Sequence, residues 1–446
     1  MKTFESIALG IPDLLLPKTG ADIGRWAVIA CDQYTSDEEY WRKVKDYVGE
    51  APSALNLIYP EAYLGAPDTE DRISNIRKYM QKYLYDGLFE EKEGLVYVER
   101  QTGSHTRKGL VACLDLDQYD FNKGATSLIR ATEGTIIDRL PPRVKVREGA
   151  PLEIPHIMVL IDDPDNTVLG PITANKGKLE AIYDVDLMMD SGHLRGYRVT
   201  DANLEKRIVN ALEVLADPAV FAEKYGLQPD TPVILYAMGD GNHSFATAKT
   251  IWEKTKDEAE DKTSVMNSPL RYGLVELVNL HDEALIFEPI HRVVFELAEE
   301  RDILEEMKDY YPDSCRFVQV ASLEEMLAAV DGQKGSPHKM GVVSQDGFGV
   351  LEVSNPEANL PAATLQNFLN DFMDADGAEE VDYIHGTDSL VQLGKKDGNI
   401  GFYLPALDKF SLFKSVIQDG ATPRKTFSLG EAFEKRFYME ARKLSE

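Results

Sequence analysis

Asp240 and His243 stand in the string GDGNHS at 239–244, and their types and spacing suit chemistry on a phosphate. A carboxylate can take a proton or hold a cation, and an imidazole can donate to an anionic oxygen. Gly239 and Gly241 let the backbone come close to a ligand, while Asn242 and Ser244 add polar side chains. The flanking sequence reads as strand, turn and helix. Val233 to Ala237 is a short apolar run suited to a buried strand, and Phe245, Ala248, Ile251 and Trp252 recur at helical spacing. Asp240, Asn242 or Ser244 is the expected N-cap. The free N–H groups and dipole of a first helical turn attract anions, so a phosphate is the expected guest. Asp-Gly before a capping residue is also ordinary punctuation between a strand and a helix, with a surface histidine beside it.

The other candidate groups lie far from this turn in the chain. Arg25 to Cys31 predicts an early buried strand, with Arg25 and Asp32 as candidates to line a site. Between Arg130 and Arg147, Glu133, Thr135, Asp138, Arg139, Arg143, Lys145 and Arg147 mix acids and bases around Pro141-Pro142. That pattern fits either a stiff loop holding an anion or a solvated connection. Asp162-Asp163-Pro164 after an apolar strand suits Mg²⁺ or a turn. Arg292 offers a planar fork for bidentate phosphate contacts. Near the end of the chain, Arg424 and Lys425 lie among Thr422, Thr426, Ser428 and Gly430, which predicts a second phosphate-binding turn followed by a helix over GEAFEKRFYMEARKL.

The turn resembles the Asp-Gly-His-His-Arg motif of the ParB/sulfiredoxin-like superfamily, which includes the free serine kinases. Asp240, Gly241 and His243 match it, whereas Asn242 replaces the first histidine and Ser244 replaces the arginine. The missing guanidinium must then come from elsewhere, and Arg292 is the expected substitute. A wider resemblance is carried by PKTGADIGRWAVIACDQYTS at 17–36, EGTIIDRLPPR at 133–143 and PHIMVLIDD at 155–163. PIHR at 289–292, YIHG at 383–386 and TPRKTFSLG at 422–430 extend it. On these runs the chain is similar to domain of unknown function family 1015. The superfamily resemblance implies a ParB/sulfiredoxin-like mixed sheet and nucleotide phosphates bound at the turn.

Composition bounds the rest. The 446 residues are enough for two or three domains, and the pattern predicts an α/β, or mixed α+β, chain. The expected division is 1–300, carrying the GDGNHS turn, and a smaller α+β region over 301–446. With 76 acidic against 48 basic residues the formal net charge is -28, which disfavours nucleic acid and anionic membrane as partners. Cys31, Cys113 and Cys315 form no disulfide framework or zinc knuckle, and the N-terminus makes a poor signal peptide, so a cytoplasmic protein is expected.

The leading expectation is phosphoryl transfer between a nucleotide, ATP or ADP, and a small hydroxyl-bearing metabolite, serine or phosphoserine foremost. Asp240, His243 and Glu133 are its catalytic candidates. Gly239, Gly241, Asn242, Ser244, Arg292, Arg424 and Lys425 are its phosphate-binding candidates. Mg²⁺ is an implied cofactor with no assigned ligand set, the partner is a small phosphorylated molecule, and homo-oligomerisation is left open. A phosphatase and a noncatalytic nucleotide sensor are the rival readings.

Overall fold

Strict alternation along neighbouring strands explains the first structural unit, which comprises residues 1–131, 135–285 and 431–446. Val96, Val98, Val111, Cys113 and Leu274 enter one apolar core, while Leu95, Tyr97, Leu110, Ala112, Val275 and Leu277 enter another. A sheet buried on both faces results, because successive strand side chains point to opposite sides. The computed structural model describes residues 1–122, 124–134, 140–332, 335–423 and 425–445.

The sheet is mixed. Its main path runs Glu180–Asp186, His193–Val199, Leu95–Thr102, His105–Asp115, Tyr272–Asn279, Met158–Ile161, Tyr236–Asp240, Ile129–Arg130 and Tyr119–Asp120. Met158–Ile161 pairs parallel with Tyr272–Asn279 and antiparallel with Tyr236–Asp240, and the register sets Met158 against both Glu276 and Asp240. The helices Glu38–Val48 and Thr69–Tyr85 cover one face with Trp41, Val44, Ile73 and Ile76. Ala202–Leu215 and Asn242–Glu258 cover the other with Leu204, Ile208, Leu212, Phe245, Ala248 and Trp252 at helical spacing.

The second unit comprises 132–134 and 286–430. It is an antiparallel sheet in the order Cys315–Val320, Gly347–Val353, His338–Ser344, Ile400–Tyr403, Phe287–Leu297 and Ala378–His385. Val294 and Val342 face the helix Pro361–Asp374, whereas Val293 and Val343 face Leu323–Val330 and Thr387–Gly394. The fold class is mixed α/β, as expected. The contacts divide at 285/286, just before the strand Phe287–Leu297, and return 431–446 to the first unit.

Several local expectations are corrected. The early strand is only Val28–Ile29, because Ile23–Trp26 forms a helical turn capped by Asp22. Part of the expected basic loop is the helix Leu140–Arg147, with Pro141 and Pro142 in its first turn, where the missing N–H groups cost nothing. Thr135, Asp138 and Arg139 lie outside the described residues.

The expected terminal helix is absent from the described tail, which forms a short turn at Ala432–Glu434 and then the strands Phe437–Tyr438 and Ala441–Lys443. These strands pair with Val28–Ile29, Leu152–Glu153 and Asp13–Pro17. Arg436 and Glu440 have helical spacing, but long-range partners decide their conformation. Arg436 donates to Glu276 at 2.8 Å and to Glu440 at 2.6 Å, with all three buried. Arg436→Met leaves two carboxylates buried without their guanidinium. It should cost about 3–5 kcal/mol, read as a lowered urea midpoint, while an unchanged midpoint would refute the role.

Candidate functional site

The strand Tyr236–Asp240 runs directly into the helix Asn242–Glu258, and Gly241 makes the junction. Its φ is +76°, in the left-handed region that favours glycine, and a Cβ there would lie 3.0 Å from the Ile157 Cα. Gly241 therefore occupies the N-cap position itself, and no side chain caps it. This corrects the expectation of Asp240, Asn242 or Ser244 as cap. The Asp240 carboxylate instead turns back to accept the Gly241 N–H at 2.9 Å.

Gly239 and His243 are half-buried, Asn242 is buried, and the half-buried Ser244 lines a pocket of about 130 Å³. The His243 carbonyl accepts the Thr247 hydroxyl at 2.7 Å, a bond that joins successive turns of the helix.

Charged groups far apart in sequence surround this junction within the first unit. Lys435 Nζ, supplied by the tail, lies 3.4 Å from Asp240 Oδ2. His156 is buried on the segment leading into Met158–Ile161. Its Nδ1 shares a hydrogen bond of 2.8 Å with the Tyr438 hydroxyl, and its Nε2 sits 3.3 Å from Asp32 Oδ2 as an ion pair lacking hydrogen-bond alignment.

Burial disfavours the charged form of His156, but the charge of Asp32 and its contact, with Asp240 and Glu61 adding, raise its pKa above the ordinary imidazole value. Burial also works against the Asp32 carboxylate, yet the His156 charge and contact, a Gln33 hydrogen bond and Lys435 hold it below the usual carboxylate range. Beside it, burial and the negative charges of Asp32 and Glu61 push the Cys31 thiol well up, so Cys31 is no nucleophile at neutral pH.

The remaining candidates belong to the second unit. Glu133 Oε2 accepts the Lys425 N–H at 2.6 Å, and Glu133 bridges to Thr422. Arg292 is fully buried. Its Nη1 donates to the Lys425 carbonyl at 3.0 Å and to that of Ile290 at 2.7 Å, its Nε donates to Gln366 at 3.1 Å, and it lies over the Tyr383 ring. The structure thus gathers Glu133, Arg292 and Lys425 around one turn, and gathers Gly239 to Ser244 around another. Arg424 lies outside the described residues. Arg25 is exposed and pairs with Asp22.

Sequence reasoning missed His156 and Lys435. His156 was visible only as a polar residue entering an apolar strand, and Lys435 was hidden by the helical reading of the tail. Among the described residues no group of three or more His, Cys, Asp or Glu side chains is placed to hold a metal, and no helix is long and apolar enough to cross a membrane.

A family model described as a protein of unknown function, DUF1015, matches residues 15–374, and the chain belongs to that family. In structure the chain is similar to a free serine kinase mutant in complex with ADP, at TM-score 0.39 and 9% identity, covering 75% of this chain and 92% of that one. It is also similar to a conserved hypothetical protein from Pyrococcus furiosus, at TM-score 0.37 and 10% identity over 75% and 95% of the two chains. C-terminally truncated SbnI from Staphylococcus aureus gives TM-score 0.34 and 10% identity over 74% and 82%. No curated protein matches.

The shifts at His156 and Asp32 fix a pH dependence. A raised histidine contributes stability below its unfolded value, near 6.5, and loses it as pH rises through the folded value. A depressed aspartate contributes above about pH 4 and loses that only in acid. The pair therefore stabilises from about pH 4 to beyond the ordinary histidine value. His156→Gln should lose more stability relative to the native chain at about pH 5.5 than at about pH 9 by urea denaturation. Equal losses at both would contradict the protonated pair.

Proposed function

We propose that this chain is a nucleotide- or phosphate-dependent enzyme of small-molecule metabolism that transfers a phosphoryl group to or from the hydroxyl of an amino acid such as serine. The observation supporting this most directly is the junction at Gly241. There Gly241, in left-handed backbone conformation, opens a 17-residue helix next to Asp240 and in the same unit as Lys435, Asp32 and His156. Backbone N–H groups of Asn242, His243 and Ser244 would meet phosphate oxygens, and the His243 ring would donate to them.

In the forward direction the acceptor hydroxyl oxygen attacks phosphorus. The bridging P–O bond breaks, and the departing nucleotide keeps the electron pair. Asp240 takes the hydroxyl proton. Glu133, Arg292, Arg424 and Lys425 remain proposed groups of the second turn, where the cations would neutralise a phosphate bound there. Mg²⁺ takes one or two carboxylates alongside phosphate and water oxygens, so Asp32 would hold it while Asp240 acts as base, and when bound it supplies neutralisation of phosphate charge.

Thermal stabilisation by a panel of nucleotides and phosphorylated amino acids, with and without Mg²⁺, tests the binding half of this reading. A ligand at a hundredfold its dissociation constant should add about 2.7 kcal/mol. His243→Ala should reduce that gain, and Lys425→Glu should reduce it if the second turn also meets phosphate. Absence of stabilisation by every ligand in a folded native chain would overturn the proposal.

A further inference from the structure

The pocket that Ser244 lines continues away from the Gly241 junction into a mostly apolar wall that includes Leu57, Ile58, Leu64, Met80, Leu152 and Ile154. Two arginines of the helix Leu140–Arg147 enter this wall, and their situations differ. Arg143 is paired with Glu61. Arg147 reaches Glu153 Oε2 through Nη1 at 2.5 Å, but its Nε and Nη2 atoms are buried and have no hydrogen-bond partner. Nε and Nη2 form one edge of the guanidinium fork, which matches the two oxygens of a carboxylate.

Charge points the same way. Glu153 is also held by Arg442, whose Nε and Nη2 lie 2.8 and 2.6 Å from Oε1, so two guanidinium groups share one buried carboxylate. An excess of buried positive charge beside unsatisfied donors favours an anionic guest. The volume of about 130 Å³ admits about six non-hydrogen atoms, judged by cavities of similar size that take one benzene ring.

We propose that this pocket binds a short carboxylic acid with an aliphatic body, its carboxylate on Arg147 Nε and Nη2. The apolar wall favours such a body over the bare polar side chain of serine. Binding rests on the pocket and Arg147 alone. Its further role, as the end of the site that holds the phosphoryl acceptor with its hydroxyl toward Ser244, rests on the proposed phosphate turn.

Calorimetric titration of the full chain with 2-methylpropanoate and 3-methylbutanoate, each against its own amide and without nucleotide, tests the assignment. The acids should bind, and the amides should bind at least about tenfold more weakly, the loss expected when a charge-assisted contact is removed. Arg147→Met should abolish the preference for acid over amide. Val146→Phe, which narrows the pocket and leaves Arg147 in place, should weaken acid and amide alike, with a native-like thermal transition as the folding control.

Failure of the native chain to bind either acid, or equal affinity for acid and amide, would overturn the proposal. His243→Ala should keep acid binding. Acid binding without any nucleotide stabilisation would therefore count against the phosphate turn alone, and the reverse pattern against the carboxylate pocket alone.

Discussion

Lys435, Arg436, Glu440 and Arg442 are buried in the returning tail, and each is answered by a charge from the tail itself or from the first unit. Removing ions from water costs several kcal/mol each, so such a tail is stable only where every partner is already in place. Lys435 requires Asp240 at the end of one strand, Arg436 requires Glu276 on another, and Arg442 requires Glu153 beside the pocket. Met158 stands in register with both Asp240 and Glu276, so the same tail segment fixes neighbouring rows of the sheet. Close packing enforces this. A Cβ on Gly109 would fall 2.3 Å from Glu276 Oε1, which shows how little room the Glu276 carboxylate has to move.

These structural charges also set the local electrostatics of the Gly241 junction. An overall charge of -28 repels phosphate at a distance, but salt screens exposed charges beyond about 8 Å, so the local balance decides what binds. Lys435 lies beside Asp240 and His156 beside Asp32 at the Gly241 junction, and the Asp32 carboxylate favours the charged form of the His156 ring. Arg147 and Arg442 around Glu153 provide a positive excess elsewhere in the first unit, where Arg147 and Glu153 line the pocket that Ser244 also lines. The first unit thus sets buried cations, each with a carboxylate partner, around one small pocket within an acidic protein.

Much of this fold was legible in the sequence because it is written in local periodicity. Phe245, Ala248 and Trp252 announced the central helix by their helical spacing. GDGNHS was visible as a turn for a local reason as well, namely the need for glycine at positive φ. What escaped was decided by contacts distant in sequence. Arg436 and Glu440 pair at helical spacing while their backbone is not helical, since Glu276, Val28 and Ile29 compete more strongly for the tail. Asp32 raises the pKa of His156, and nothing local to either residue signals the other. The expected N-cap side chains gave way to Gly241 because Ile157 leaves no room for a Cβ.

The central claim is that the Gly241 junction serves phosphoryl transfer, and turnover tests it most directly. Phosphorus NMR of the full chain with Mg²⁺, a nucleotide and serine or a short aliphatic hydroxy acid would follow every phosphorus atom at once. The account predicts a new phosphomonoester signal that grows as the nucleotide loses its terminal phosphoryl group, and that is absent with Asp240→Asn. Nucleotide that binds but stays intact with every hydroxyl acceptor would contradict it.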